Sequence, residues 1–234
     1  QQLGLRSDVD RTLIGFMGCY AAFNGLKTAH QICQSQPEAK VLLVCVELCT
    51  LHFQAENSLE SIVINAIFGD GAAAAVLSSQ SSAAAAGKLA YVDGYSLLLP
   101  ETTDLMSWTI GNTGFLMSLS AQVPRAIAQH LPEYLVTLLA RHGLEQAAID
   151  FWAVHPGGRQ ILDQVQALLE LPELALADSY GVLREYGNMS SGTILFVLQR
   201  LLMQHQQGKS LEHGVALAFG PGLTIEGCLF QQVN

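Results

Sequence analysis

Three residues of this chain have types and settings that suit chemistry on a thioester. Cys19 follows Gly18 at the start of a predicted helix, where unsatisfied backbone N–H groups and the helix dipole favour a thiolate over a thiol. A sulfur placed there is a nucleophile, although a cysteine without partners is equally well a small buried hydrophobe. His155 follows the apolar run FWAV and precedes Pro156, Gly157 and Gly158, so its ring stands at a strand end beside a flexible turn. Strand ends are where sites form in α/β folds. Asn188 lies between Gly187 and Met189 at another predicted helix start, where it serves either as a donor to a substrate or as an ordinary N-cap.

Together these groups have a coherent use. The sulfur attacks a thioester carbonyl, and the imidazole and carboxamide donate to the oxyanion that forms. The same two donors would stabilise the enolate left when a malonyl thioester loses carbon dioxide. That carbanion would then attack the acyl group waiting on Cys19, forming a carbon–carbon bond. A thioester hydrolase is an alternative, with His155 as general base toward water and a free acid as product.

The elements that must position these residues are visible as hydrophobic patterns. Leu13, Ile14 and Phe16 predict a strand, followed by a sharp turn and a helix over residues 18–32 with Ala21, Ala22, Leu26 and Ala29 at helical spacing. The run KVLLVCVE from Lys40 to Glu47 reads as a central strand buried on both faces. A helix over 61–68 is broken by Gly69, Asp70 and Gly71 before a strand over 72–77. The polar, low-complexity segment 78–87 reads as a surface connection. It separates residues 1–87, carrying the nucleophile, from residues 88–234, carrying His155 and Asn188. In the second part, strands are expected over 89–95, 108–110 and 151–154. Helices are expected over 123–142, interrupted near Pro132, and over 160–169.

A weak internal repeat links the two parts, because GCYAAFNGLKTA followed by VLLVCVE is echoed by GNMSSGTILFVL followed by GVALAFG. Each copy reads as turn, helix, strand. One turn offers Cys19 and the other Asn188, so a pseudo-twofold pairing would bring these side chains together. The expected fold class is α/β with layered sheets and helices.

Composition sets the outer bounds. The chain has 234 residues, half of them hydrophobic, enough for a sizeable core. Eleven Lys and Arg face 20 Asp and Glu, a formal charge of −9, which argues against nucleic acid or anionic membrane as a partner. No apolar run reaches the roughly 18 residues of a membrane span, and no secretory signal opens the chain, so a cytoplasmic home is expected. The cysteines at 19, 33, 45, 49 and 228 follow no disulfide pattern, which suits a reducing compartment. Cys45, Cys49 and His52 have neither zinc spacing nor a fourth ligand, and no metal is expected. No G-x-G-x-x-G or P-loop pattern is present. The start at Gln1, within what reads as a folded segment, is taken as the start of a fragment.

The sequence resembles the type III polyketide synthases, the chalcone- and stilbene-synthase-like condensing enzymes. The matching segments are GFMGCYAAFNGL around Cys19, FGDGAAAAV from Phe68, VHPGGRQIL around His155, YGNMSSGTILFVL from Tyr186 and AFGPGLTIEGCLF from Ala218. HPGG, GNMSS and GPGLTIE are specific in combination. The resemblance implies a thiolase-like layered αβαβα fold, incomplete at the N-terminus. It also implies that Cys19 carries the acyl group, with His155 and Asn188 as decarboxylation and oxyanion partners. Phe68 would be the gatekeeping aromatic between a CoA entrance and a cavity, or alternatively plain core packing. Gly157 and Gly158 would line the entrance, while Ser190 and the loop of Phe219, Gly220, Pro221 and Gly222 would be cavity wall and scaffold.

Cys49 and His52, in the VELCTLHF segment, stand where the plant enzymes usually carry small hydroxyl residues. The segment looks more like bacterial relatives that use fatty acyl starters, so Cys49 would open a tunnel for an alkyl chain or simply pack a strand. The substrates implied are acyl-CoA and malonyl-CoA, with no further cofactor, and the product an alkylpyrone or alkylresorcinol. The assembly implied is a homodimer. The family's N-terminal part, with basic residues that grip CoA phosphates and a residue reaching the neighbouring cavity, is expected to be missing before Gln1. The competing readings are a ketoacyl synthase III-like enzyme with a carrier-bound substrate, against which the GPGLTIE loop argues, and a non-catalytic truncated remnant.

Overall fold

The computed structural model describes residues 2, 4–79, 87–112, 114–205, 212–233. Most of the expected connection over 78–87 lies outside the described residues. In chain order the elements are α1 (Ala21–Ser35), β1 (Lys40–Glu47), α2 (Leu59–Ile67), β2 (Gly71–Ser78), β3 (Leu89–Leu98), β4 (Met106–Ile110), β5 (Phe115–Leu119) and α3 (Val123–Ala140). They continue with β6 (Phe151–Val154), α4 (Arg159–Leu168), α5 (Ala177–Tyr186), α6 (Thr193–His205), β7 (His213–Gly220) and β8 (Thr224–Gln232).

The centre is a four-stranded sheet in the order β3-β8-β7-β6, in which β6 and β7 run parallel and the other pairs antiparallel. Strands β6 and β7 are apolar on both faces, and period-two alternation sends the apolar side chains of the sheet to one of two cores. Trp152, Val154, Val215, Leu217, Ile225 and Leu229 face α3 and α4. Phe151, Ala153, Ala216, Ala218, Cys228 and Phe230 face α1 and α6. The helices α1 and α6 pack in turn on the antiparallel pair β1–β2 through Leu43, Cys45, Ala73 and Leu77. The result is a stack of sheet, helices, sheet and helices.

Several expectations need correction. Residues 10–17 form no strand, because the described residues offer that run no pairing edge. The strand β1 is not buried on both faces: Leu42, Val44 and Val46 are 48–61% exposed, since no described layer covers that side of the β1–β2 pair. Pro132 does not interrupt α3, which runs unbroken through it. The missing N–H removes one helical rung, but Leu131, Tyr134, Leu135 and Leu138 are buried on either side and hold the helix down. Strand β5, unforeseen in the sequence, pairs with β4 to form a separate hairpin.

Candidate active site

Both copies of the internal repeat fold as a 3-10 turn leading into a helix, and the packing of the two turns brings Cys19 and Asn188 together. Gly18 and Gly187 are both left-handed, at φ +64° and +72°, a region open to glycine at no steric cost. Each immediately precedes the residue of interest. A Cβ on Gly18 would stand 2.7 Å from Pro221 Cδ, and one on Gly187 would stand 2.8 Å from the Ile67 carbonyl oxygen. The 3-10 turn Gly18–Tyr20 then leads into α1, and the 3-10 turn Ser190–Gly192 leads into α6. The two turns pack on each other, with Cys19 6% exposed and Asn188 1% exposed.

Asn188 is pinned through its backbone. Its N–H donates to the Ile67 carbonyl at 2.8 Å and its carbonyl accepts from the Gly69 N–H at 3.0 Å. Its side-chain Oδ1 accepts the Ser190 N–H at 2.8 Å, which leaves Nδ2 facing the site. From there Nδ2 donates to the Gly157 carbonyl at 3.4 Å and stands 3.9 Å from Cys19 Sγ. One end of the amide holds a turn and the other is presented to the sulfur.

His155 prolongs β6 by one residue, its N–H donating to the Leu217 carbonyl at 2.8 Å. The residue is 1% exposed, and neither ring nitrogen has a hydrogen-bond partner among the described residues. A buried imidazole in that condition is costly unless a ligand completes it. Burial lowers its pKa to about 3, so the ring rests neutral. Burial likewise raises the Cys19 thiol to about 11, against the hydrogen bonds of Asn188 and Ser190, with the charge of Glu47 adding to the rise. The thiolate expected at the helix start is thus opposed by desolvation, the larger effect here. The pair rests as thiol and imidazole, each paying for charge only when a reaction creates it.

Cys19, His155 and Asn188 all line one cleft of about 900 Å³, together with Phe68, Gly157, Gly158 and Phe219. The walls are mostly apolar, from α2, the β4–β5 hairpin and the start of α3, with Arg159 and Glu60 as charged groups. Phe68 is bridged through its backbone to Asn188 and also borders a second, smaller cavity of about 70 Å³. Cys49 and His52 line that smaller cavity rather than the main cleft. Burial and the charge of Glu47 push the Cys49 thiol up to about 12. Pro221 lies against the position of Gly18, outside the cleft lining, and Ser190 is buried at φ +48° in the turn behind Cys19. Both are scaffold in position.

Sequence reasoning passed over Glu47 and Glu60. Glu47 accepts from the Ser191 hydroxyl and, at 3.3 Å, from the Ser191 N–H, tying the end of β1 to the Asn188 turn. A lone carboxylate closing an apolar strand was the signal that could have found it. Among the described residues no group of three or more His, Cys, Asp or Glu side chains could hold a metal ion. Among them, too, no helix is long and apolar enough to cross a membrane.

Layered sheets and helices with a doubled glycine-turn-helix unit define this molecule as a thiolase-like α/β protein. More narrowly, it belongs to the chalcone and stilbene synthase family, the type III polyketide synthases: the N-terminal domain model matches residues 1–81 and the C-terminal domain model residues 92–234. Among curated relatives, the alpha-pyrone synthesis polyketide synthase-like Pks18 of Mycobacterium tuberculosis is 36% identical over all of this chain and 60% of its own length. The 1,3,6,8-tetrahydroxynaphthalene synthase of Streptomyces peucetius is 36% identical over 98% of the chain and 61% of its own length. The crystal structure of PKS-I from the brown alga Ectocarpus siliculosus superposes with a TM-score of 0.95 at 40% identity, covering 99% of this chain and 63% of that one. The chain thus spans about 60% of the length of these two curated relatives.

Proposed function

We propose that the protein is an acyltransferase that loads an acyl group from an acyl-CoA, of fatty acyl type, onto Cys19. It then extends that group with malonyl-CoA and releases a cyclised alkylpyrone or alkylresorcinol. One observation carries the reading: the Asn188 amide is oriented by Ser190 so that its N–H bonds face the Cys19 sulfur, while the partnerless imidazole of His155 opens on the same cleft.

The steps follow from that arrangement. Cys19 gives up its proton as the sulfur attacks the thioester carbonyl, CoA leaves as its thiol, and the acyl group remains on sulfur. Malonyl-CoA then enters the cleft, and His155 and Asn188 donate to its thioester oxygen. Its carboxylate departs as carbon dioxide, and the electron pair left on carbon is spread onto that oxygen. The carbanion attacks the acyl–Cys19 carbonyl and expels the sulfur. Donors aimed at a developing oxyanion in a buried site are worth orders of magnitude in rate. For His155 to donate it needs a proton on the nitrogen that faces the substrate, which the neutral ring supplies from one of its two positions.

The family and the relatives named above support the class of reaction, and the mostly apolar walls support an acyl starter. A homodimer in the cytoplasm, no cofactor beyond the CoA thioesters, and two thiolase-like halves at 1–87 and 88–234 complete the proposal. The test is incubation of the protein with lauroyl-CoA and ¹³C-malonyl-CoA, with and without acyl carrier protein. A labelled cyclic product formed without carrier is expected. A carrier requirement points instead to a ketoacyl synthase, free lauric acid alone to a hydrolase, and no turnover to a remnant.

A further inference from the structure

Among the described residues the β4–β5 hairpin is hydrogen-bonded to no other sheet, yet its strand β5 forms part of the cleft wall through Met117, Ser118 and Leu119. A two-stranded hairpin is marginal by itself, so something must hold it in place. The outer edge of β5 is held at both ends by side chains. At its first residue, the Phe115 N–H donates to His52 Nδ1 at 3.1 Å. At its last residue, the Leu119 N–H donates to Glu60 Oε1 at 2.6 Å, and the Ser118 hydroxyl donates to the same oxygen at 3.1 Å. The His52 ring also stacks on Phe115, with centroids 5.0 Å apart and planes 25° from parallel. The turn is fitted to this contact, since a Cβ on Gly114, at φ +144°, would lie 3.0 Å from His52 Nδ1.

We infer that His52 and Glu60 are positioning residues that clasp β5 and thereby set how long an acyl chain the cleft accepts. Met117, midway between the clasps, borders both the main cleft and the smaller cavity, as do Ile64 and Phe68. Release of either clasp lets Met117 move with the strand and joins the two spaces. The inference rests on the reading of the cleft as an acyl site, and in it the His52 ring nitrogen is committed to the hairpin backbone.

The test compares paired variants of the intact protein. His52→Asn keeps an acceptor at the position of Nδ1, whereas His52→Phe keeps the stacked ring and loses the acceptor. Glu60→Gln and Glu60→Leu make the same contrast at the other end. Unreactive thioether analogues, butyl-CoA and dodecyl-CoA, are titrated by the fluorescence of Trp108, which belongs to β4. In parallel, hydrogen exchange reads the Phe115 amide.

His52→Phe is expected to raise the dodecyl-to-butyl affinity ratio at least about tenfold, a difference of about 1.4 kcal/mol, and to strip protection from the Phe115 amide. His52→Asn should keep both near wild type. A ratio within about twofold of wild type in His52→Phe, an equal shift in His52→Asn, or a wild-type protein that binds neither thioether overturns the inference. Acyl transfer to Cys19 is a separate readout. Thioether binding that follows the clasps without any acyl adduct retires the proposed reaction and leaves the clasps standing.

Discussion

Asn188 Nδ2 stands 3.9 Å from Cys19 Sγ because Asn188 Oδ1 is already committed to the Ser190 N–H, 2.8 Å away. The amide cannot flip without breaking that bond, so the donor end faces the sulfur permanently. Asn188→Asp keeps an acceptor for Ser190 and replaces the donor with a second oxygen. Loss of such a donor costs about 10² to 10³ in rate. Decarboxylation of malonyl-CoA, followed as released carbon dioxide, should fall by that factor in a variant whose thermal midpoint stays close to wild type.

The buried imidazole makes stability depend on pH in a definite direction. His155 has its pKa lowered to about 3 in the folded state, against about 6.5 in an unfolded chain. Below about 6.5 the unfolded chain takes up a proton that the folded chain refuses, so unfolding is favoured as pH falls. The contribution is whole above the unfolded value and is lost as pH drops toward the folded one. Urea denaturation at pH 7 and pH 5 should show a larger loss of stability in wild type than in His155→Gln.

The left-handed glycines before Cys19 and Asn188 are requirements of the site. Gly18→Ala forces a Cβ into φ +64° and against the Pro221 ring at 2.7 Å. Leaving the glycine-favoured region costs about 1–2 kcal/mol, and the ring contact adds to it. Chemical denaturation should show at least that loss. Alkylation of Cys19 by iodoacetamide should also change in rate, because the turn carrying the sulfur must shift.

The central sheet supplies the rigidity. Leu217 is fully buried between β7 and the helices α3 and α4, whereas Val136 on α3 is 67% exposed. Leu217→Ala should cost about 2–5 kcal/mol through lost transfer energy and a residual cavity. Val136→Ala should stay within about 0.5 kcal/mol. Parallel urea titrations separate the two.

Much of this was legible in the sequence, for reasons that differ by element. The strands β6 and β7 are apolar on both faces and could only be interior. The Cys19 and Asn188 turns were legible as a repeat because each needs a glycine followed by small residues at a helix start. The strand β1 was misjudged because VLLVCV looks the same whether its outer face is covered or bare, and coverage is a property of neighbours. The strand β5, FLMSL, lacks β-branched residues and so carried little strand signal. The partner of His52 lies 63 residues away at Phe115, and no local pattern encodes such a contact. The expected thiolate failed on a similar point: helix starts can be read locally, whereas desolvation depends on everything packed around the sulfur.

The most direct measurement of the central claim is intact-protein mass spectrometry after incubation with lauroyl-CoA alone, followed by peptide mapping. A mass increase of one lauroyl group located on Cys19, absent from Cys19→Ala and slowed in His155→Ala, is the predicted result. No adduct on wild type, or an adduct that persists at full yield in Cys19→Ala, would contradict the account.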